Sequence, residues 1–232
     1  MSQAATLAGH HADDPAVPLE KTPFGVTNGK FGMWMFLCQD CMGFVGFFAA
    51  YTALRTVAQN WPNPNHILGI TMTGVMTFVL ICSSVSMVLA LDACEHDNRK
   101  GLLFWLGATI AGGAFFLVGQ FFEYSHLLSY GHHEGWQGVW ANFGHPSSHN
   151  FWATFYSLTS FHGLHVLGGV IYLSCMWIGA YRGKYHSKNS TPIEIVGLYW
   201  HFVDLVWILL FTFVYLIPPK TAATLIVPGH TG

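Results

Sequence analysis

Five stretches of this 232-residue chain run for more than twenty residues each with few charges in them. They lie at about 30–58, 66–92, 101–128, 149–180 and 193–217. About 20 mostly apolar residues in a helix cross a hydrocarbon core of roughly 30 Å, whereas a spanning strand needs only about 10. Lipid offers no partner to backbone amides, so only helices and closed barrels span it. Runs of this length read as helices. The predicted fold class is an all-α integral membrane protein, a bundle of five transmembrane helices. Composition agrees: 9% of residues are charged, against roughly 25% in soluble domains. A net charge of -2 without a basic run gives no footing for nucleic acid.

The spans divide the chain into a polar tail at 1–29, a transmembrane domain at 30–217 and a short tail at 218–232. The first tail has no basic start followed by an apolar core, so it reads as a disordered segment rather than a signal peptide. His10 and His11 read as solvated tail residues. Five cysteines, four of them in apolar runs, do not make a disulfide framework. The CQDC of Cys38 and Cys41 falls inside a span and reads as packing. Glycine and serine in GGAFF, LGG and SSVS suit close helix packing in lipid. The fourth run exceeds a perpendicular span, so tilt or projection is expected.

Lys21, Lys30, Arg99, Lys100, Arg182, Lys184 and Lys188 all fall on one side of the predicted membrane, and only Arg55 and Lys220 on the other. Basic loops stay in the cytoplasm. A cytoplasmic N-terminus and a periplasmic C-terminus are expected. The loop at 129–148 has no Lys or Arg. Its His132, His133 and His145, with the adjoining His149, read as solvated polarity, and Trp136 and Trp140 as interfacial anchors.

Three carboxylates and three histidines stand out inside the spans: Asp40, Glu123 and Asp204, with His162, His165 and His201. Such residues cost at least a few kcal/mol when unpaired and face the bundle interior. At about 1.5 Å per residue, Asp40, Asp204 and His165 reach similar depths, with His201 a little shallower. Glu123 and His162 fall in the other half. Residues three apart share a helix face, as do His162 and His165, His201 and Asp204, and Gln120 and Glu123. Two clusters are predicted: Asp40, His165, His201 and Asp204 together, and Glu123 with His162. Three roles stay open on the residues alone: hydrogen bonds that hold helix register, proton or ion handling, and a metal or haem site. Zinc and copper need three or four ligands close together. A bis-histidine haem would need facing helices, and His165 with His201 is the pair that could serve.

Four segments carry a resemblance to a known family. Helix one reads KFGMWMFLCQDCMGFVGFFAAY, helix three ends GQFFEY, helix four holds FYSLTSFHGLHVLGG and helix five reads YWHFVDLVW. In type, order and spacing these resemble subunit III of the haem–copper terminal oxidases, in its short five-helix bacterial form. The helix-one acid of that family is usually glutamate; here it is Asp40. The resemblance implies a non-redox accessory subunit in the bacterial inner membrane. It would have no catalytic residue, no metal and no cofactor of its own, with haem and copper in partner subunits. It would pack directly on subunit I, join subunit II and the other subunits, bind structural phospholipid, and support proton uptake and stability in an oxygen-reducing, proton-pumping complex. Asp40, Glu123, His162, His165, His201 and Asp204 would form its buried polar network, supported by Gln120, Tyr124 and Trp200. An accessory protein of a nitric oxide reductase is the alternative within the family. A haem-bearing anchor or an independent ion transporter would be the alternatives outside it.

Overall fold

A computed structural model describes residues 27–58, 69–133 and 146–217, with 126–133 and 146–149 described by their backbone alone. The first tail up to residue 26, the 59–68 turn, loop residues 134–145 with Trp136, Trp140 and His145, and the tail from 218 lie outside the described residues.

The described residues form five long helices and no strand. These are α1 (Asn28–Val57), α2 (Ile70–Glu95), α3 (Arg99–His133), α4 (Pro146–Tyr181) and α5 (Thr191–Leu210), the last continuing as a π-helix over Phe211–Leu216. All five are long and apolar enough to cross a membrane. The helices outrun the hydropathy limits. α3 carries on through Tyr130 to His133, and α4 begins at Pro146, so the two ends of the segment predicted as loop 129–148 are helical. Hydropathy marks where an apolar run ends; a helix ends only where the backbone finds a breaker or a cap. At about 1.5 Å per residue, the 36 residues of α4 span roughly 54 Å, well beyond one hydrocarbon thickness.

α5 is the centre of the bundle. Half of its most apolar stretch is buried, against 11% for α1. Its large side chains Trp200, Trp207 and Tyr215 are almost fully covered. Lipid supplies no hydrophobic drive between helices, so close packing and hydrogen bonds must join them. Two indoles provide both. Trp200 Nε1 donates to Ser83 Oγ at 3.1 Å and Trp207 Nε1 to Thr77 Oγ1 at 2.9 Å, which fixes the antiparallel register of α5 on α2. The Trp200 ring fits because its neighbours are glycines: a Cβ on Gly113 would stand 2.5 Å from it, and one on Gly169 2.9 Å.

α1 packs on α4 and α5 and is pinned near both ends. Lys30 pairs with Glu194 at 2.5 Å. Near the other end Arg55 donates to the carbonyls of Phe213 at 3.3 Å and Ile217 at 2.8 Å. Those carbonyls belong to or border the π-helical turn, where the ordinary i→i−4 ladder has shifted; a cation from the neighbouring helix takes them up.

The connections at the Lys30 end are tied together. Asp97 sits at φ 54°, a left-handed conformation that aspartate tolerates better than most residues. Its carboxylate accepts the Ser187 backbone N–H at 2.7 Å and the Ser187 hydroxyl at 2.8 Å. These bonds hold the Asp97 carboxyl below its ordinary value of 3.8. Asn98 Oδ1 accepts the Gly101 N–H at 3.1 Å at the start of α3. α4 closes with Gly183 at φ 75°. There Lys184 N bonds Gly179 O and Gly183 N bonds Ala180 O, the paired bonds of a Schellman stop. The Arg99 guanidinium donates to the Tyr181 carbonyl across the α3–α4 contact.

Candidate functional site

Asp40 and His165 form the one close acid–base pair between helices at membrane depth among the described residues. His165 Nε2 stands 3.0 Å from Asp40 Oδ1, and both side chains are largely buried, at 15% and 11% exposed. His165 Nδ1 lies 2.7 Å from the Phe161 carbonyl one turn back. A carbonyl only accepts, so Nδ1 carries a hydrogen. The Nε2–Asp40 contact then needs one further proton. It sits on the acid, which donates to a neutral imidazole, or on the imidazole, which donates to the carboxylate. Either way the pair is electrically neutral as a unit, the arrangement that low-dielectric surroundings favour. Both ring nitrogens are engaged within this chain. Tyr199 on α5 donates to the His165 carbonyl at 2.9 Å, so three helices meet at this turn.

The other members of the predicted first cluster lie elsewhere. His201 Nδ1 meets Ser84 Oγ on α2 at 2.6 Å. His201 and Asp204 do share a face, but that face looks at α2, whereas Asp40 stands on α1. α5 is central and has separate faces for α1 and α2, a distinction that depth along a helix does not reveal. Asp204 Oδ1 is buried and meets no partner.

The predicted Glu123–His162 pair is absent. His162 is fully buried among rings: Trp207 at 5.0 Å, Phe116 at 5.7 Å and Phe44 at 6.4 Å between centroids. Neither of its ring nitrogens finds a hydrogen-bond partner. The α3 residue at its level is Phe116. Glu123 lies seven residues farther along, about 10 Å at helical rise, too far to reach. Its carboxylate instead accepts from Thr73 at 3.3 Å and from Tyr215 at 3.4 Å. Gln120 supports a separate α3–α4 link. Its amide donates to the Thr159 carbonyl at 2.9 Å and to Tyr124 Oη at 3.2 Å, and Tyr124 Oη meets Thr159 Oγ1 at 2.5 Å. Gly163 makes room for it, since a Cβ there would come within 2.6 Å of Gln120 Oε1. Trp200 serves the α2–α5 register.

Ser84, Thr73, Tyr199 and Tyr215 escape the sequence reading. Each is an uncharged hydroxyl in an apolar run, and SSVS reads as close packing. The signal that could find Ser84 is its place opposite an i,i+3 His–Asp pair on an antiparallel neighbour. Among the described residues no three of His, Cys, Asp and Glu gather at metal-binding range. Cys38, Cys41, Cys82, Cys94 and Cys175 are free thiols.

Residues 5–218 match the family model described as cytochrome c oxidase subunit III. The chain belongs to this family. A cytochrome c oxidase subunit 3 from Synechocystis is 38% identical over 189 residues, which cover 81% of this chain and 75% of that protein. A probable cytochrome c oxidase subunit 3 from Mycobacterium tuberculosis is 37% identical over 187 residues, covering 80% and 86%. A cytochrome bo(3) ubiquinol oxidase subunit 3 from Pseudomonas aeruginosa is 32% identical over 189 residues, covering 82% and 85%. As a subunit III of this family, the chain is a component of a haem–copper oxidase complex and a multi-pass membrane protein.

Proposed function

We propose that this subunit III is the non-redox accessory subunit of a proton-pumping respiratory oxidase that reduces oxygen in subunit I. It sits in the bacterial inner membrane with the Lys30 end of the bundle in the cytoplasm, packs on subunit I, contacts subunit II and the other subunits, and binds structural phospholipid. Haem and copper belong to its partners. The observation that carries the reading is the Asp40–His165 pair. An acid and a base kept at membrane depth as one neutral unit hold a proton where a free charge is costly. That supports a part in proton uptake and in the stability of the complex. The basic residues at the Lys30 end, Lys30, Arg99, Lys100, Arg182, Lys184 and Lys188, support the orientation. The ubiquinol-oxidase relative favours a second reading of the donor alone, in which quinol replaces cytochrome c.

The test is a mild-detergent pull-down of the chain with reduced-minus-oxidised spectra of the complex and of the isolated subunit. Haem bands in the complex and none in the isolated chain are the expected result. Bands in the isolated chain would overturn the accessory reading. A co-purified nitric oxide reductase in place of an oxygen reductase would overturn the reaction.

A further inference from the structure

His201 stands at the outer edge of the α2–α5 contact. One ring nitrogen, Nδ1, faces Ser84 Oγ at 2.6 Å. The other, Nε2, meets no hydrogen-bond partner among the described residues, and it is not sealed inside the bundle, since the residue is only half-buried. At helical rise His201 lies about 15 Å from the Thr191 end of α5, and Ser84 about 16 Å from the Glu95 end of α2. Both therefore sit near the middle of a hydrocarbon core of roughly 30 Å. Leu198, Leu205 and Ile208 stand three, four and seven residues from His201, so the four share one stripe of α5. Leu205 and Ile208 are exposed and Leu198 is half-buried. On α2, Ile81 and Val88 flank Ser84 at the same spacings and are exposed too. α5 is the most deeply packed of the five helices, and this stripe is the side of it that no described element covers.

An apolar stripe alone would suit lipid. The imidazole does not, because hydrocarbon supplies neither donor nor acceptor, and polar side chains at this depth face protein. Nε2 donates or accepts according to which nitrogen carries the hydrogen, so its complement is a group that can do either, a hydroxyl or a carboxyl. A second copy of this chain about a two-fold axis would set two identical tautomers together, donor on donor or acceptor on acceptor. We infer that the His201 stripe of α5, with the adjoining edge of α2, is where a transmembrane helix of a different oxidase subunit docks, bringing a hydroxyl- or carboxyl-bearing side chain to His201 Nε2. Ser84 is the positioning residue: it holds Nδ1 and so aims Nε2 outward. This docking rests on the proposed place of the chain in an oxidase complex, and it names the face and the bond used there.

The test is photocrosslinking in intact membranes. Leu205→p-benzoylphenylalanine is irradiated in the assembled complex and the product is identified by peptide mass spectrometry. A covalent link to a transmembrane peptide of another subunit is the expected result. Two variants then isolate the bond. The amide of His201→Asn reaches the place of Nδ1 and can keep Ser84, but leaves nothing at the place of Nε2. The amide of His201→Gln reaches the place of Nε2 and can keep the outward bond. His201→Asn should lower the crosslink yield several-fold and let detergent strip the subunit from the complex several-fold more readily, whereas His201→Gln should retain most of both. Crosslinks to lipid alone or to a second copy of this chain would overturn the docking face. Wild-type retention of His201→Asn, or equal damage from the two variants, would overturn the outward bond. Haem bands in the same complex report on the accessory role independently, so a lipid-only product beside normal haem bands removes the docking face and leaves the proposed function standing.

Discussion

His165 Nε2 and Asp40 Oδ1 meet at 3.0 Å across the α1–α4 contact, while His165 Nδ1 faces its own helix carbonyl. Asp40→Asn can keep this link, because an amide N–H donates to the same nitrogen that a protonated acid would. Asp40→Leu cannot, and leaves a buried acceptor unmade at about 1–3 kcal/mol. Asp40→Asn should assemble normally and unfold close to the wild-type temperature, and it should lose turnover on sustained running. Asp40→Leu should lower both the stability and the yield of the complex. Wild-type turnover and decay in Asp40→Asn across pH 6–9 would make the acid structural only.

Gly113 stands against a buried indole. A Cβ there would lie 2.5 Å from Trp200 Cη2 and 2.7 Å from Val170 Cγ2. Alanine in a helix is worth up to about 1 kcal/mol over glycine, but overpacking on both sides costs about 1–3 kcal/mol. The clash wins, and Gly113→Ala should destabilise. Gly46 meets nothing within 4 Å, so Gly46→Ala should be neutral or stabilising. Thermal unfolding of the two variants side by side checks the sign; a stabilised Gly113→Ala would mean that Trp200 can move aside.

The loop tie gives a pH dependence with a definite sign. Asp97 is held below its ordinary 3.8 by the Ser187 backbone N–H first and the Ser187 hydroxyl second. A lowered carboxyl stabilises above its unfolded value and loses that contribution as pH falls through the folded one. His96 is raised above 6.5, first by the Asp92 carbonyl and then by the Asp92 charge. Its contribution is whole below 6.5 and is lost as pH rises through the folded value. Both ties are therefore intact between about pH 5 and 6. Exchange protection of the Ser187 amide should hold down to pH 5 and fall in the range below 3.8. Protection unchanged at pH 3, after correction for intrinsic exchange, would show that the carboxylate does not hold this loop.

Five runs of apolar sequence suffice to read five helices, because lipid allows little else and no tertiary detail is needed. Partners are another matter. Asp40 and His165 meet as their common depth predicts, since antiparallel neighbours at equal depth are within reach. His201 and Asp204 have the right depth and face another helix, and the order of helices around α5 is set by packing, not by hydropathy. Glu123 misses His162 because two turns separate their levels. Uncharged hydroxyls partner the rest: Thr73 and Tyr215 hold Glu123 and Ser84 meets His201, and an apolar run hides them. The family motifs locate the polar residues; they do not say which of them touch.

His162 offers the sharpest contrast between sequence and site. It belongs to the FHGLHV motif, yet its ring is fully buried with two unpartnered nitrogens against Trp207, Phe116 and Phe44. Burying such polar atoms without a hydrogen bond costs about 1–3 kcal/mol on mutational scales. An apolar ring of similar shape removes that cost and adds some bulk, which well-packed sites resist by a comparable amount. The Phe116 and Trp207 rings already meet the imidazole edge-on or tilted, so a phenyl ring fits the same contacts. His162→Phe should therefore assemble and unfold within about 1 kcal/mol of wild type, whereas His165→Phe, which strands Asp40, should be clearly less stable. Thermal unfolding of the two variants in the assembled complex separates them. If His162→Phe proves the more damaging, then the His162 nitrogens do bonding work in the assembled oxidase, and the buried network extends through the ring cage into a partner subunit.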